Sequence, residues 1–242
     1  MCKETKETEV WRREAEVWEI LRSCGAFKTG HFVLTSGFHS DQYIEKVLAT
    51  NDPRARRALA GMIVDWILSS SDKGMGIQVV VGTPMGAISL ATEVSSMMGL
   101  PMAFLEKDGK TLVLRGVNRQ AVEGGRVLLV EDIITKGTNT AEALKVLREA
   151  GAVVVAVSCI VNREGYRPDV SLFLALATTP PGGEIKSFPP DSCPLCAQGV
   201  PISTDSGHGA KFLAELRERD PEKWKVLSGQ GKQVDPAEEV LR

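Results

Sequence analysis

Two adjacent acids, Glu131 and Asp132, are followed at once by Ile133-Ile134-Thr135-Lys136-Gly137-Thr138-Asn139-Thr140. Paired carboxylates can accept hydrogen bonds from a sugar diol. A Thr/Gly turn at a helix start presents unpaired backbone N–H groups, at the positive end of the helix, to a phosphate. The acids come after Arg126 and the continuous apolar run Val127-Leu128-Leu129-Val130, the pattern of a strand covered on both faces in a parallel sheet. After the turn, Ala141, Leu144, Leu147 and Ala150 recur at helical spacing up to Gly151. The unit reads as a strand ended by two acids, a hydroxyl-rich turn and a helix. Open α/β sheets bind ligands beyond the carboxyl ends of their strands, so phosphate on the turn and sugar hydroxyls on the acids is the occupancy this order favours. The plainer alternative, a buried strand and capped helix that happen to carry two acids, pays the cost of burying adjacent carboxylates without a partner. The Gly-x-x-x-x-Gly-Lys-Ser/Thr spacing of a Walker loop is absent.

Val127 to Thr140 resembles the phosphoribosyl-diphosphate (PRPP) signature of the class I phosphoribosyltransferases: four apolar residues, two acids, two apolar residues, then Thr-x-Gly-Thr. The resemblance implies an α/β fold, Rossmann-like, with a mainly parallel sheet flanked by helices, a small N-terminal hood and a C-terminal tail. It implies that Glu131 and Asp132 hold the ribose hydroxyls near the reacting carbon. By the same resemblance Thr135, Lys136, Gly137, Thr138 and Asn139 fix the 5′-phosphate, while Mg²⁺ bridges diphosphate and ribose oxygens and keeps several waters.

The elements that must position these groups can be read outward from the motif. Trp11, Ala15, Val17, Trp18, Ile20, Leu21 and Cys24 give one apolar face to a helix from about Glu9 to Ser23, which Gly25 ends. Its tryptophans read as core or dimer-interface residues. Gly30 to Ile44 alternates Phe32 and Leu34 with polar positions around Ser36-Gly37, a small hairpin. It resembles the hood of the orotate branch, Gly-x-Phe-x-Leu-x-Ser-Gly-x-x-Ser, which implies Tyr43 and Ile44 as lining of the base pocket. Thr35 and Phe38 stand where that branch carries Lys or Arg. Asp52-Pro53 starts a helix carrying Ala55, Leu59, Met62, Ile63, Trp66 and Ile67, and a loop follows over Ser69 to Gly74. Ile77 to Val81 is a buried strand that ends in Gly82-Thr83-Pro84-Met85-Gly86, a turn able to offer amides to an anion. The resemblance assigns Thr83, Pro84, Met85 and Gly86 to diphosphate; no lysine accompanies them, so backbone amides must serve.

Pro101 to Leu105 reads as the next strand. Glu106 to Gly116 is charged and glycine-bearing, the composition of a mobile flap, and a polar link runs from there to Gly124-Gly125. Lys107 and Lys110 match the lysines of the orotate branch's Arg-Lys-x-x-Lys-x-His flap, which steady diphosphate and reach a neighbouring subunit, so a homodimer is implied. Glu106 and Leu112 replace its Arg and His, with Arg115 and Arg119 as possible substitutes. A solvated β-hairpin without catalytic part is the alternative. Val153 to Val161 and Ser171 to Ala177 complete the strands. Arg163, after the first of them, has the planar fork that matches a carboxylate, and the resemblance gives it the carboxylate of orotate; a salt-bridged surface arginine is the alternative.

Prolines and glycines from Thr179 to Pro190 mark a change of composition, so three segments are expected: 1–50 helix and hood, 51–178 phosphoribosyltransferase core, 179–242 tail. In the tail, Cys193-Pro194-Leu195-Cys196 has the spacing of a zinc knuckle or a redox pair. His208 is the only histidine downstream, and Cys2, Cys24 or Cys159 would have to come from afar; Zn²⁺, a disulfide and inert thiols all stay open. Among the histidines of the chain only His39 merits attention, and chiefly as a structural residue. Phe212, Leu213 and Leu216 suggest a closing helix, and Trp224 a further turn.

The 242 residues carry a net charge of −2, which offers no nucleic-acid surface, and no apolar run long enough to cross a bilayer. Five cysteines and a charged start suit the cytoplasm. The expected activity is transfer of the phosphoribosyl group from PRPP to orotate in pyrimidine biosynthesis. The altered flap and hood leave two other readings: a transferase for another base, or a non-catalytic PRPP or nucleotide sensor.

Overall fold

The computed structural model describes residues 2–69, 76–178, 180 and 183–230, with side chains from residue 12 onward. Trp11 and Cys2 as side chains, and most of the expected loop after Ser69, therefore lie outside the described residues. In chain order the elements are α1 (Cys2–Ser23), β1 (Phe27–Val33), β2 (His39–Ile44), α2 (Lys46–Asn51), α3 (Pro53–Ser69), β3 (Val79–Gly82), α4 (Ala87–Met98) and β4 (Met102–Phe104). Then follow β5 (Glu106–Asp108), β6 (Thr111–Val113), α5 (Gly116–Val122), β7 (Arg126–Ile134), α6 (Thr138–Glu149), β8 (Val153–Asn162) and β9 (Leu172–Ala177). The last are α7 (Pro194–Ala197), α8 (Gly209–Arg219) and α9 (Pro221–Leu227).

Contacts group the chain into two units that are discontinuous in sequence: 1–26 with 46–184, and 27–45 with 185–242. The first helix thus belongs with the core, and the hairpin with the tail, a grouping that cuts across the three segments expected along the chain.

In the first unit five parallel strands run in the order β4-β3-β7-β8-β9. The apolar run of β7 is central: Val127 through Val130 are fully buried, paired with β3 on one side (Gly82 opposite Val130) and β8 on the other. The strand does not stop at the acids. It continues through Glu131 and Asp132 to Ile134, with Glu131 opposite Cys159 and Ile134 opposite Asn162. The partner strand β8 is long enough to keep pairing, so the carboxylates sit within the sheet's edge. Helix α6 buries Thr140, Ala143, Leu144 and Leu147 against the sheet; Ala141, assigned to that stripe on spacing, faces out. Val17, Trp18 and Leu21 of α1 are buried, and Asp52 caps α3 by accepting from Arg54 N and Ala55 N at 2.9 and 2.8 Å. The expected polar link before Gly124 is helix α5, anchored by fully buried Val122. None of the helices among the described residues is long and apolar enough to span a membrane.

In the second unit β1 and β2 form an antiparallel hairpin. His39 N donates to Phe188 O and Phe188 N to His39 O, both at 2.8 Å, Ser203 N donates to His31 O at 2.8 Å, and His208 N to Val33 O at 2.8 Å. A small core of Val33, Ile202, Leu213, Leu216 and Leu227 completes it.

Candidate active site

The carboxyl ends of β3 and β7 open onto a cleft lined by Lys46, Thr83, Pro84, Lys107, Leu112, Glu131, Asp132, Ile133 and Asn139. Successive residues of a strand point to opposite faces, and the two acids meet different partners. Glu131 is 5% exposed; its Oε2 accepts from Thr83 Oγ1 at 2.6 Å and its Oε1 from Thr140 Oγ1 at 3.2 Å. Burial, and then the neighbouring Asp132 charge, push its carboxyl up to about 7, against the pull of the two hydroxyls and of Lys46. Asp132, 3% exposed, lies against Lys46 Nζ at 2.9 and 3.1 Å and accepts from Ile133 N at 2.6 Å. A Cβ on Gly86 would strike the Asp132 carboxylate, which makes a bare backbone necessary there.

Gly137 has φ +76° and caps α6, and a Cβ on it would enter the ring of Tyr166. Thr135, Lys136, Thr138 and Asn139 are exposed on the turn, and the amides of Thr138, Asn139 and Thr140 open the first turn of the helix, where no intrahelical acceptor precedes them. In the β3–α4 turn the Thr83 amide is used by Val130 O (3.2 Å) and its hydroxyl by Glu131; the Pro84–Met85 peptide is cis, and Met85 is largely exposed.

The flap is an ordered antiparallel hairpin of β5 and β6. Leu112 and Leu114 are buried in the main core, and Leu112 N donates to Glu142 Oε1 at 2.8 Å. A buried leucine stabilises by about 1.5–3 kcal/mol, so the residue in the histidine's place helps to hold the hairpin down. Lys107 lines the cleft of its own chain, whereas Lys110 stands exposed in the hairpin turn. The arginines offered as substitutes are engaged elsewhere: Arg115 pairs with Asp108 at 2.5 Å and Glu106 at 3.9 Å, and Arg119 donates to Glu149 O at 3.5 Å. Arg163 follows β8, with its amide on Ile134 O at 2.8 Å and its guanidinium 3.8 Å from Glu164. Tyr43 and Ile44 end β2 in the other unit, where the Tyr43 ring stacks on Phe32 at 5.4 Å.

Lys46 is the cleft residue that sequence reasoning missed. It opens a six-residue helix too short to show periodicity; the available signal was a lone cation directly after Tyr43-Ile44-Glu45.

Residues 51–175 match the phosphoribosyl transferase domain. Curated orotate phosphoribosyltransferases align along most of their length. That of Chlorobium phaeobacteroides is 32% identical over 187 residues, covering 76% of this chain and 91% of the relative. That of Caldicellulosiruptor bescii is 35% identical over 185 residues, covering 76% and 92%. Among solved structures, the orotate phosphoribosyltransferase of Aeropyrum pernix superposes with a TM-score of 0.53 at 27% identity, over 67% of this chain and 93% of that one. The Mycobacterium tuberculosis enzyme complexed with inorganic phosphate shares the fold, with a TM-score of 0.54 at 23% identity, over 69% and 96%. With the domain matched over half its residues and relatives a third identical along nearly their full length, the chain belongs to the phosphoribosyltransferases of the orotate type.

Proposed function

We propose that this chain transfers the phosphoribosyl group of PRPP to orotate, yielding orotidine 5′-phosphate and diphosphate on the route to pyrimidine nucleotides. The observation that carries the proposal is the buried pair Glu131 and Asp132 at the sheet edge, sharing a cleft with Lys46, Lys107 and Asn139 of the helix that starts at the Thr/Gly turn. In this reaction the bond between the anomeric carbon and diphosphate breaks, the electron pair leaves with the diphosphate oxygen, and positive charge develops on the ribose. A ring nitrogen of orotate then bonds to that carbon and gives up its proton. Such a step needs fixed charge and positioning more than a strong base.

The amides opening α6 and the side chains of Thr135, Lys136, Thr138 and Asn139 would hold the 5′-phosphate. Glu131 and Asp132 would accept from the ribose hydroxyls and face the developing charge. Diphosphate would meet Lys107, the amides of Met85 and Gly86 and the first turn of α4, since the Thr83 amide is taken and Pro84 has none. Carboxylate and hydroxyl oxygens make a hard donor set that suits Mg²⁺. Glu131 and Asp132 would hold that ion through its waters, and when bound with PRPP it offsets charge on the leaving diphosphate. Arg163 would take the orotate carboxylate. Lys110, outside the lining of its own cleft, suits service to a second copy in a homodimer. Cys24 and Cys159, thiols outside any disulfide, suit the cytoplasm.

The test is diphosphate release from PRPP with Mg²⁺ and a panel of bases. Release with orotate is expected. Release only with another base would reassign the substrate, and binding without release would make the chain a sensor.

A further inference from the structure

Four side chains far apart in the chain converge in the second unit: His31 and His39 of the hairpin, Cys193 just before α7 and Cys196 within it. Their ligand atoms all lie within 4.8 Å of one another. His31 Nε2 is 2.8 Å from His39 Nδ1, 3.6 Å from Cys193 Sγ and 3.7 Å from Cys196 Sγ; His39 Nδ1 is 3.3 Å from Cys196 Sγ. Zinc bound tetrahedrally at about 2.0–2.1 Å to nitrogen and 2.3 Å to sulfur spaces its ligand atoms by roughly 3.3–3.8 Å, and these four separations of 2.8, 3.6, 3.7 and 3.3 Å lie in or near that range. We propose that His31, His39, Cys193 and Cys196 form a structural Zn²⁺ site.

The surroundings favour an ion over a chance meeting of side chains. His31 Nδ1 is 2.7 Å from Val200 O, and a carbonyl can only accept. The ring proton therefore sits on Nδ1, and Nε2 turns its lone pair into the cluster, the arrangement by which a carbonyl orients a metal-bound histidine. His39 Nδ1 stands 2.8 Å from that lone pair, and a cation between the two satisfies both. Three of the four residues are at most 3% exposed. The cysteines are set by one helical turn: Ala197 N donates to Cys193 O and Gly199 N to Cys196 O, both at 3.1 Å, the Cys-x-x-Cys geometry of a zinc knuckle. Four protein ligands complete a tetrahedron and leave no position for a reacting water, which makes the site structural.

Its role follows from what it joins. The hairpin and the tail are separated in sequence by residues 46–184 of the first unit, and the apolar core between them is small. Units with little core depend on a metal or disulfides for stability. A zinc ion tying residues 31 and 39 to residues 193 and 196 would fix the hood to the tail, whatever reaction the other unit catalyses.

The test uses the full chain, grown with zinc and dialysed, then analysed for metals. One zinc per chain is expected, with retention falling to below about a tenth in Cys196→Ser and in His39→Ala. As a control against misfolding of either variant, the wild-type chain is also stripped and reloaded with Co²⁺. Thiolate-to-cobalt charge-transfer bands together with tetrahedral d–d bands are expected, as is a lower Tm for the stripped chain. A metal-free wild type without those cobalt bands, zinc undiminished in Cys196→Ser, or a Cys193–Cys196 disulfide in the chain as purified would each overturn the site.

Discussion

Lys46 Nζ lies 2.9 Å from Asp132 Oδ2 and 3.1 Å from Oδ1, so the first residue of α2 grips the second acid of β7. The lysine side chain is 43% exposed and the aspartate 4%, so the cation reaches from solvent to a carboxylate in the cleft. With its lysine half exposed, the pair contributes about 0–1 kcal/mol to stability; under the proposed reaction it would align the acid and add positive charge where diphosphate and ribose would meet. Lys46→Met is expected to leave Tm nearly unchanged while lowering kcat/KM for PRPP by about 10- to 100-fold, the worth of one charged hydrogen bond. A melting curve beside steady-state kinetics checks both halves; a large loss of Tm with unchanged kinetics would make the pair merely structural.

Glu131 has a carboxyl raised from 4.5 to about 7. Its ionised form is the better acceptor for ribose hydroxyls, so kcat/KM for PRPP should rise between about pH 6 and pH 8, and Glu131→Gln should lack that limb. The stability sign is the reverse. The folded state holds this proton more tightly than the unfolded chain, so the contribution is fully present below 4.5 and is lost as pH rises to about 7. Wild type should therefore lose stability relative to Glu131→Gln across that window, measured by denaturant midpoints on a pH series.

Arg163 has only Glu164, 3.8 Å away, as its ion-pair partner among the described residues, and its side chain is 22% exposed. Arg163→Ala should raise KM for orotate about 10-fold or more and KM for PRPP by less than about twofold, since a charge-assisted pair to carboxylate is lost and phosphate contacts are not. Equal rises in both constants would place the arginine on PRPP instead.

The strand, acids, turn and helix from Arg126 to Glu149 could be read directly, because each rests on local pattern: an apolar run, a glycine at positive φ, a helical stripe. The acid pair's depth in the sheet could not, since it depends on how far β8 extends beside β7. Lys46 was hidden by the shortness of α2. The flap's settling was hidden because Leu112 looked like a lost histidine rather than a core residue. His31 and His39 could not be joined to Cys193 and Cys196 from sequence at all; the pairing spans more than half the chain and is made by β1, β2 and α7 folding together.

Titration of PRPP with Mg²⁺ into the full chain by calorimetry tests the central claim most directly. The account expects one site per chain, with affinity reduced at least about tenfold in Asp132→Asn and the fold intact by circular dichroism. Absence of binding to the wild-type chain, or equal affinity in Asp132→Asn, would contradict it.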